Sequence, residues 1–245
     1  MLAARTGMSP DAWNASRDLG PYRDRHDAGR ELARRLQPLG LERPVVLALP
    51  RGGVPVGVEI ARALQCPIDV LLVRKLGAPG FPELGLGAIV DGTPPQRVLN
   101  PRVIEAVQPP PGYLEDEEAR QRAVLAARRE HLRHGRAPQP VAGCSVVLVD
   151  DGIATGGTMR AALQALQSSG ASRRVVAVPV APANTAEMLG IPPQDLVCPL
   201  QPEDFQSVGA YYQDFEQVDD AQVLRLLEQA WHDLPSNAGR AAAAS

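Results

Sequence analysis

Short apolar runs alternate with helix-period segments along most of this chain. Residues 45–49, 68–73, 145–149 and 175–180 are rich in Val and Leu. They are too short for helices and too uniformly apolar for half-exposed strands, which predicts buried parallel strands. Between them lie helical patterns. Over residues 22–37, Ala28, Leu32 and Leu36 fall on one face. A second helix is predicted from Pro55, a residue suited to a first turn, to about residue 64. Asn100-Pro101 reads as a cap followed by proline at the first helical position. After the break Pro109-Pro110-Pro111-Gly112, residues 114–134 form a highly charged helix with its acidic cluster in the first turns. Residues 159–169 are amphipathic. A last helix starts at Asp219, with Gln222 as capping-box partner and Val223, Leu227, Ala230 and Trp231 on one side. Residues 76–87 carry Gly and Pro signals throughout and read as loop. Strands alternating with helices predict an α/β fold with a doubly wound, mainly parallel sheet.

Residues 1–20 show no sustained periodicity and read as a flexible leader, and residues 236–245 as a flexible tail. Residues 21–235 then form the domain. Composition narrows the function. A formal charge of −3 argues against a general nucleic-acid binder, so any phosphate recognition must be local. Cys66, Cys144 and Cys198 are odd in number and widely spaced, which indicates neither a disulfide framework nor a zinc site. There is no apolar run of membrane-spanning length and no apolar core of a secretory signal near the start. A cytoplasmic protein without a membrane partner is expected.

The densest chemistry follows the third strand. Val146 to Val149 lead into Asp150-Asp151-Gly152-Ile153-Ala154-Thr155-Gly156-Gly157-Thr158, and a helical pattern opens directly behind. In open α/β sheets, ligands sit at the carboxyl ends of strands. A Gly/Thr loop at a helix N-terminus offers N–H groups and a dipole to an anion. Two carboxylates can accept bonds from a diol or hold Mg²⁺. The combination suits a phosphorylated sugar. A nucleoside-triphosphate P-loop would need Lys where Thr158 stands, and the glycines miss the dinucleotide spacing. Two adjacent acids alone would suit a solvated turn; Thr-Gly-Gly-Thr behind them points to phosphate.

This segment resembles the phosphoribosyl-diphosphate (PRPP) signature of the type I phosphoribosyltransferases. The resemblance implies Mg²⁺-dependent transfer of 5-phosphoribose from PRPP to a nitrogenous base, a purine among the candidates, in nucleotide metabolism. It places Asp150 and Asp151 at the ribose hydroxyls and the metal. Gly152 and the stretch Ala154, Thr155, Gly156, Gly157 and Thr158 would hold PRPP, chiefly its 5′-phosphate. Gly152 departs from the family, which usually has an aliphatic residue there. Pro50-Arg51-Gly52-Gly53 after the first strand is similar to the pyrophosphate loop, which often holds a cis peptide. Arg74-Lys75, at the end of the second strand, would join Arg51, Gly52 and Gly53 around pyrophosphate. Asp150, Asp151, Arg51 and Lys75 are the catalytic candidates.

Further pieces are looser. The segment 205–215 concentrates aromatics and is similar to the family's purine hood, expected over about residues 190–218. Phe205, Val208 and Tyr212 are the base-contact candidates, and Asp214 is a third candidate metal ligand. Ala154 stands where guanine-type enzymes carry an Asp for proton transfer, which leaves Glu83 as a speculative replacement. Arg74-Lys75 and residues 154–159 look like the adenine-type enzymes. His131 and His134 are read as solvated. Residues 22–231 resemble stand-alone bacterial predicted phosphoribosyltransferases, whose pieces include Arg23-Asp24-Arg25, Ala28-Gly29 and Val208-Gly209. A homodimer is expected. The alternative reading is a catalytically weak PRPP- or nucleotide-binding regulator with the same fold.

Overall fold

The computed structural model describes residues 21–92 and 94–236; the expected leader and nearly all of the expected tail lie outside them. Five parallel strands form the central sheet: β1 (Val45–Ala48), β2 (Ile68–Val70), β6 (Ser145–Val149), β7 (Arg173–Ala177) and β8 (Leu196–Val197). Their order is β2-β1-β6-β7-β8, so the chain reverses its winding between β1 and β6. That junction is the topological switch point, where such sheets bind ligands.

The uninterrupted apolar runs have a physical reason. Val46, Ala48, Val147 and Val149 enter one core cluster, with helices α1 (Arg25–Leu36), α2 (Gly53–Leu64) and α7 (Asp220–Asp233). Val45, Leu47, Val146 and Leu148 enter a second cluster, against α5 (Gly157–Ala165). Successive side chains point to opposite faces, and both faces are covered. Caps set the helix starts. Asp24 accepts from the Asp27 N–H at 2.7 Å, and Asp219 from the Gln222 N–H at 2.6 Å.

The stretch expected as loop is instead strand. β3 (Val73–Ala78), β4 (Phe81–Val90) and β5 (Gln96–Leu99) form a separate antiparallel sheet, with a bulge around Gly77. Within residues 76–87 only Pro79-Gly80 makes a turn, with Gly80 at φ +72°; Gly87 has another part. A Cβ on Gly87 would lie 2.3 Å from the Val98 carbonyl oxygen, so glycine permits the close strand approach. The expected strand over 68–73 accordingly splits into β2 and the start of β3. Helices α3 (Pro101–Val107) and α4 (Tyr113–Arg133) follow the antiparallel sheet, and the short α6 (Thr185–Leu189) follows β7.

A buried ion cluster joins the two sheets. Arg133, at the end of α4, bonds Asp69 of β2 at 3.1 Å and Asp91, just after β4, at 2.6 Å. Arg129 also pairs with Asp91. Arg133 further donates to the Val70 carbonyl, while Asp69 accepts from the Val70 and Gln139 N–H groups. Each buried charge therefore has partners.

Candidate active site

β1 and β6 pair in register from Val45↔Val146 to Ala48↔Val149, so the segments that follow them leave the sheet side by side. After β6 come Asp150 and Asp151; after β1 comes Pro50-Arg51-Gly52-Gly53, with a cis peptide between Pro50 and Arg51. The two loops are in contact. A Cβ on Gly52 would lie 1.9 Å from Asp151 Oδ2, and one on Gly53 would lie 2.6 Å from the Val149 carbonyl oxygen. Only glycine at these positions lets the loop close on the acid pair.

Asp151 is fixed from three sides. Arg25 Nε donates to its Oδ2 at 2.8 Å, and the same guanidinium lies 3.9 Å from the centroid of the Phe215 ring. Arg25 also donates to the Glu216 carbonyl at 2.8 Å. The Tyr212 hydroxyl donates to the Asp151 backbone carbonyl at 2.6 Å. Burial, with the Asp151 charge nearby, pushes the Tyr212 phenol well above its ordinary range, so it stays a donor. Asp150 accepts the Asp151 N–H at 2.9 Å. Burial and then the neighbouring Asp151 carboxylate raise the Asp150 carboxyl well above the usual range. A cation or a sugar hydroxyl at this position would relieve that charge.

Residues 152–156 form the loop that leads into α5. Ala154 and Thr155 are exposed, and Gly156, at φ +68°, caps the helix. The first N–H groups of α5 have no intrahelical partners, which suits an anion. The glycine at 152 also has a local explanation. A Cβ there would meet Val208 Cγ1 at 2.5 Å, so the valine occupies the space an aliphatic residue would fill.

Alternation along β3 divides Arg74 from Lys75. Arg74 lines a cleft of about 420 Å³ with Arg51 and Arg128. Its Nε donates to Gln121 Oε1 at 3.0 Å. Lys75 lines a different cleft, of about 300 Å³, with Thr155, Gly157 and Thr158. The two basic residues expected around pyrophosphate thus lie in different clefts: Arg74 beside Arg51, and Lys75 beside the glycine loop. Glu83, expected in a loop, lies in β4 with its carboxylate 3.6 Å from Lys75 Nζ.

The other candidates are redistributed. Tyr212 is 5% exposed and packed between the Tyr22 and Phe215 rings, at 5.6 and 4.9 Å. It braces the acid pair and presents no open face to a base. Phe205 stacks on Tyr211 at 6.0 Å, and Val208 packs on Gly152. Asp214 is exposed and accepts from the Glu216 N–H at 3.0 Å. Among the described residues no three His, Cys, Asp or Glu side chains converge, so Asp214 does not complete a trio with Asp150 and Asp151. His134 lies 3.6 Å from Glu228, and its ring meets that of His131 edge-on. Arg25 stands in the sequence only as part of the Arg23-Asp24-Arg25 piece, and Arg128 in no motif; neither is among the candidate site residues. Arg25 reaches the site from 126 positions before Asp151, and Arg128 from the charged helix.

An acid pair and a glycine loop at the switch point of a parallel sheet define an α/β protein with its polar groups gathered where such sheets bind ligands. Comparison with known proteins makes the class specific. Residues 22–213 match the family model of the phosphoribosyl transferase domain, and the chain belongs to that family. Two Mycobacterium tuberculosis proteins, from strains CDC 1551 and H37Rv, are each named "Putative phosphoribosyl transferase". Each is 43% identical over 212 residues, covering 86% of this chain and 47% of the relative. This chain thus spans about half the length of the curated relatives it matches. The crystal structure of TT1426 from Thermus thermophilus is 48% identical, with a TM-score of 0.74 over 85% of this chain and 98% of that one.

Proposed function

We propose that this protein transfers 5-phosphoribose from PRPP to a nitrogenous base and releases pyrophosphate. The observation that carries the reading is the contact between the Asp150-Asp151 pair and the Pro50–Gly53 loop, in a chain of the phosphoribosyl transferase family. In the reaction the C1′–O bond to diphosphate breaks, a C1′–N bond forms, and the base loses its N–H proton. The sugar passes through a cation-like state, so catalysis rests on positioning and charge balance. Asp150 and Asp151 accept from the ribose hydroxyls, with Asp151 held in place by Arg25. The Gly152–Thr158 loop and the α5 N-terminus take the 5′-phosphate, with Lys75 alongside. Arg51, Gly52, Gly53 and Arg74 take the diphosphate end.

The donor set also fits Mg²⁺. Two adjacent carboxylates, one of them carrying a charge opposed by burial and by its neighbour, match a hard cation that shares its shell with substrate phosphates. Bound there, the ion would supply charge neutralisation for the departing diphosphate.

The acceptor is proposed as a purine or related heterocycle, with a 6-amino compound favoured over guanine and hypoxanthine, because Ala154 has no proton to exchange. Residues 190–218 are proposed as the hood over it, with Phe205 and Val208 at its edge. No helix among the described residues is long and apolar enough to cross a membrane; a cytoplasmic homodimer is proposed. The same Ala154 supports the second reading, a PRPP-binding regulator. Pyrophosphate release, followed with PRPP, Mg²⁺ and a panel of bases, tests both. Turnover with adenine above guanine is expected; fast turnover with guanine alone would contradict the acceptor assignment. PRPP binding without turnover on any base would favour the regulator.

A further inference from the structure

Helix α4 brings Arg128 to the cleft between the Pro50–Gly53 loop and the start of β3. There it lines a space of about 420 Å³ together with Arg51 and Arg74. Among the described residues neither Arg51 nor Arg74 has a carboxylate partner. Arg128 has one: Asp220, in the first turn of α7, which accepts two bonds from its guanidinium, at 3.0 and 2.7 Å. The Arg128 hydrogen bond holds the Asp220 carboxyl below the usual carboxylate range, with smaller contributions from Arg51 and His131. Asp220 therefore also senses Arg51. Three guanidiniums line the cleft and a single carboxylate pairs with one of them, which leaves the cleft net positive.

A guanidinium held by a carboxylate through both Nη atoms is fixed in place, and its Nε–H and remaining Nη–H groups can still donate to phosphate oxygens with less side-chain entropy lost on binding. Arg128 lies outside every motif that links the chain to its family, on the charged helix between the antiparallel sheet and β6. We propose that Arg128, aimed by Asp220, is a third diphosphate-binding arginine. It contacts the diphosphate of PRPP and the released pyrophosphate beside Arg51 and Arg74. This rests on the phosphoribosyl-transfer reading and adds a residue to it.

The test is calorimetric titration with three ligands, PRPP, pyrophosphate and ribose 5-phosphate, each in Mg²⁺ buffer. The last lacks the diphosphate and reports on the fold and the 5′-phosphate loop. Arg128→Gln is expected to weaken pyrophosphate and PRPP by about tenfold or more, as for a lost charge-assisted bond, and to leave ribose 5-phosphate unchanged. Unchanged pyrophosphate and PRPP affinities, or equal losses for all three ligands, would overturn the assignment. Arg128→Lys keeps the charge and loses the fork, so it decides the matter if the Gln variant does not fold. Its pyrophosphate affinity is expected to fall by about threefold or more, and wild-type affinity would count against Arg128. Wild-type protein that binds none of the three would instead overturn the phosphoribosyl-transfer reading itself.

Discussion

The parallel sheet and the antiparallel sheet contribute to one site in opposite ways. At the β1–β6 junction, the strand residues leading to the acid pair are fully buried, and the two loops approach so closely that one added methyl would overlap Asp151. Arg25 and the close approach of Gly52 confine the Asp151 carboxylate, and Tyr212 holds its backbone carbonyl. The β3–β4 hairpin is the reverse. Phe81 is 72% exposed, Leu84 44%, and Glu83 extends into solvent beside Lys75. Geometry that the chemistry requires is built where core packing is densest, while the hairpin adds side chains that few neighbours constrain. The Asp69–Arg133–Asp91 cluster is the joint between them.

The comparison breaks most sharply at Gly52. Gly52→Ala must displace Asp151 or the Pro50–Gly53 loop, and misplacement on the scale of 1 Å costs about a hundredfold. Turnover of PRPP is expected to fall by roughly that factor, read as pyrophosphate release. Next is the joint. Arg133→Leu leaves the Asp69 and Asp91 carboxylates buried without their shared partner, and a loss of about 3–5 kcal/mol in urea unfolding is expected. A smaller effect is expected from pH. The Arg128 hydrogen bond holds the Asp220 carboxyl below its ordinary 3.8, so the stabilisation is complete above that value and is lost as pH falls through the folded one. Thermal melts in acid should therefore fall more steeply for the wild type than for Asp220→Asn. The smallest effect belongs to the hairpin tip: Phe81→Ala is expected to leave the melting temperature unchanged, because the ring touches little. A large loss there would erase the contrast between the regions.

What could be read in the sequence follows the same division. The strand, acid pair and glycine loop of residues 146–158 are contiguous, so pattern alone placed them together, and the β1 loop was legible for the same reason. The antiparallel sheet is hidden in the sequence because only Pro79-Gly80 makes a turn, while Gly77 and Gly87 serve close strand approach. Tyr212 looked like a stacking face because composition does not reveal that rings from residues 22 and 215 cover it. Arg74 and Lys75 looked like one basic pair until strand alternation set them in different clefts. Arg25 is brought to Asp151 only by tertiary folding across 126 positions, so the Arg23-Asp24-Arg25 piece carries no sign of its partner.

The acid pair, held by Arg25 and the Pro50–Gly53 loop, is proposed to bind the ribose of PRPP, and titrating PRPP with Mg²⁺ into wild-type protein and into Asp151→Asn decides it. The wild type is expected to bind, and a folded Asp151→Asn to lose about ten- to a hundredfold in affinity, the value of a charge-assisted hydrogen bond. Equal affinities in the two proteins would show that the acid pair does not hold the sugar.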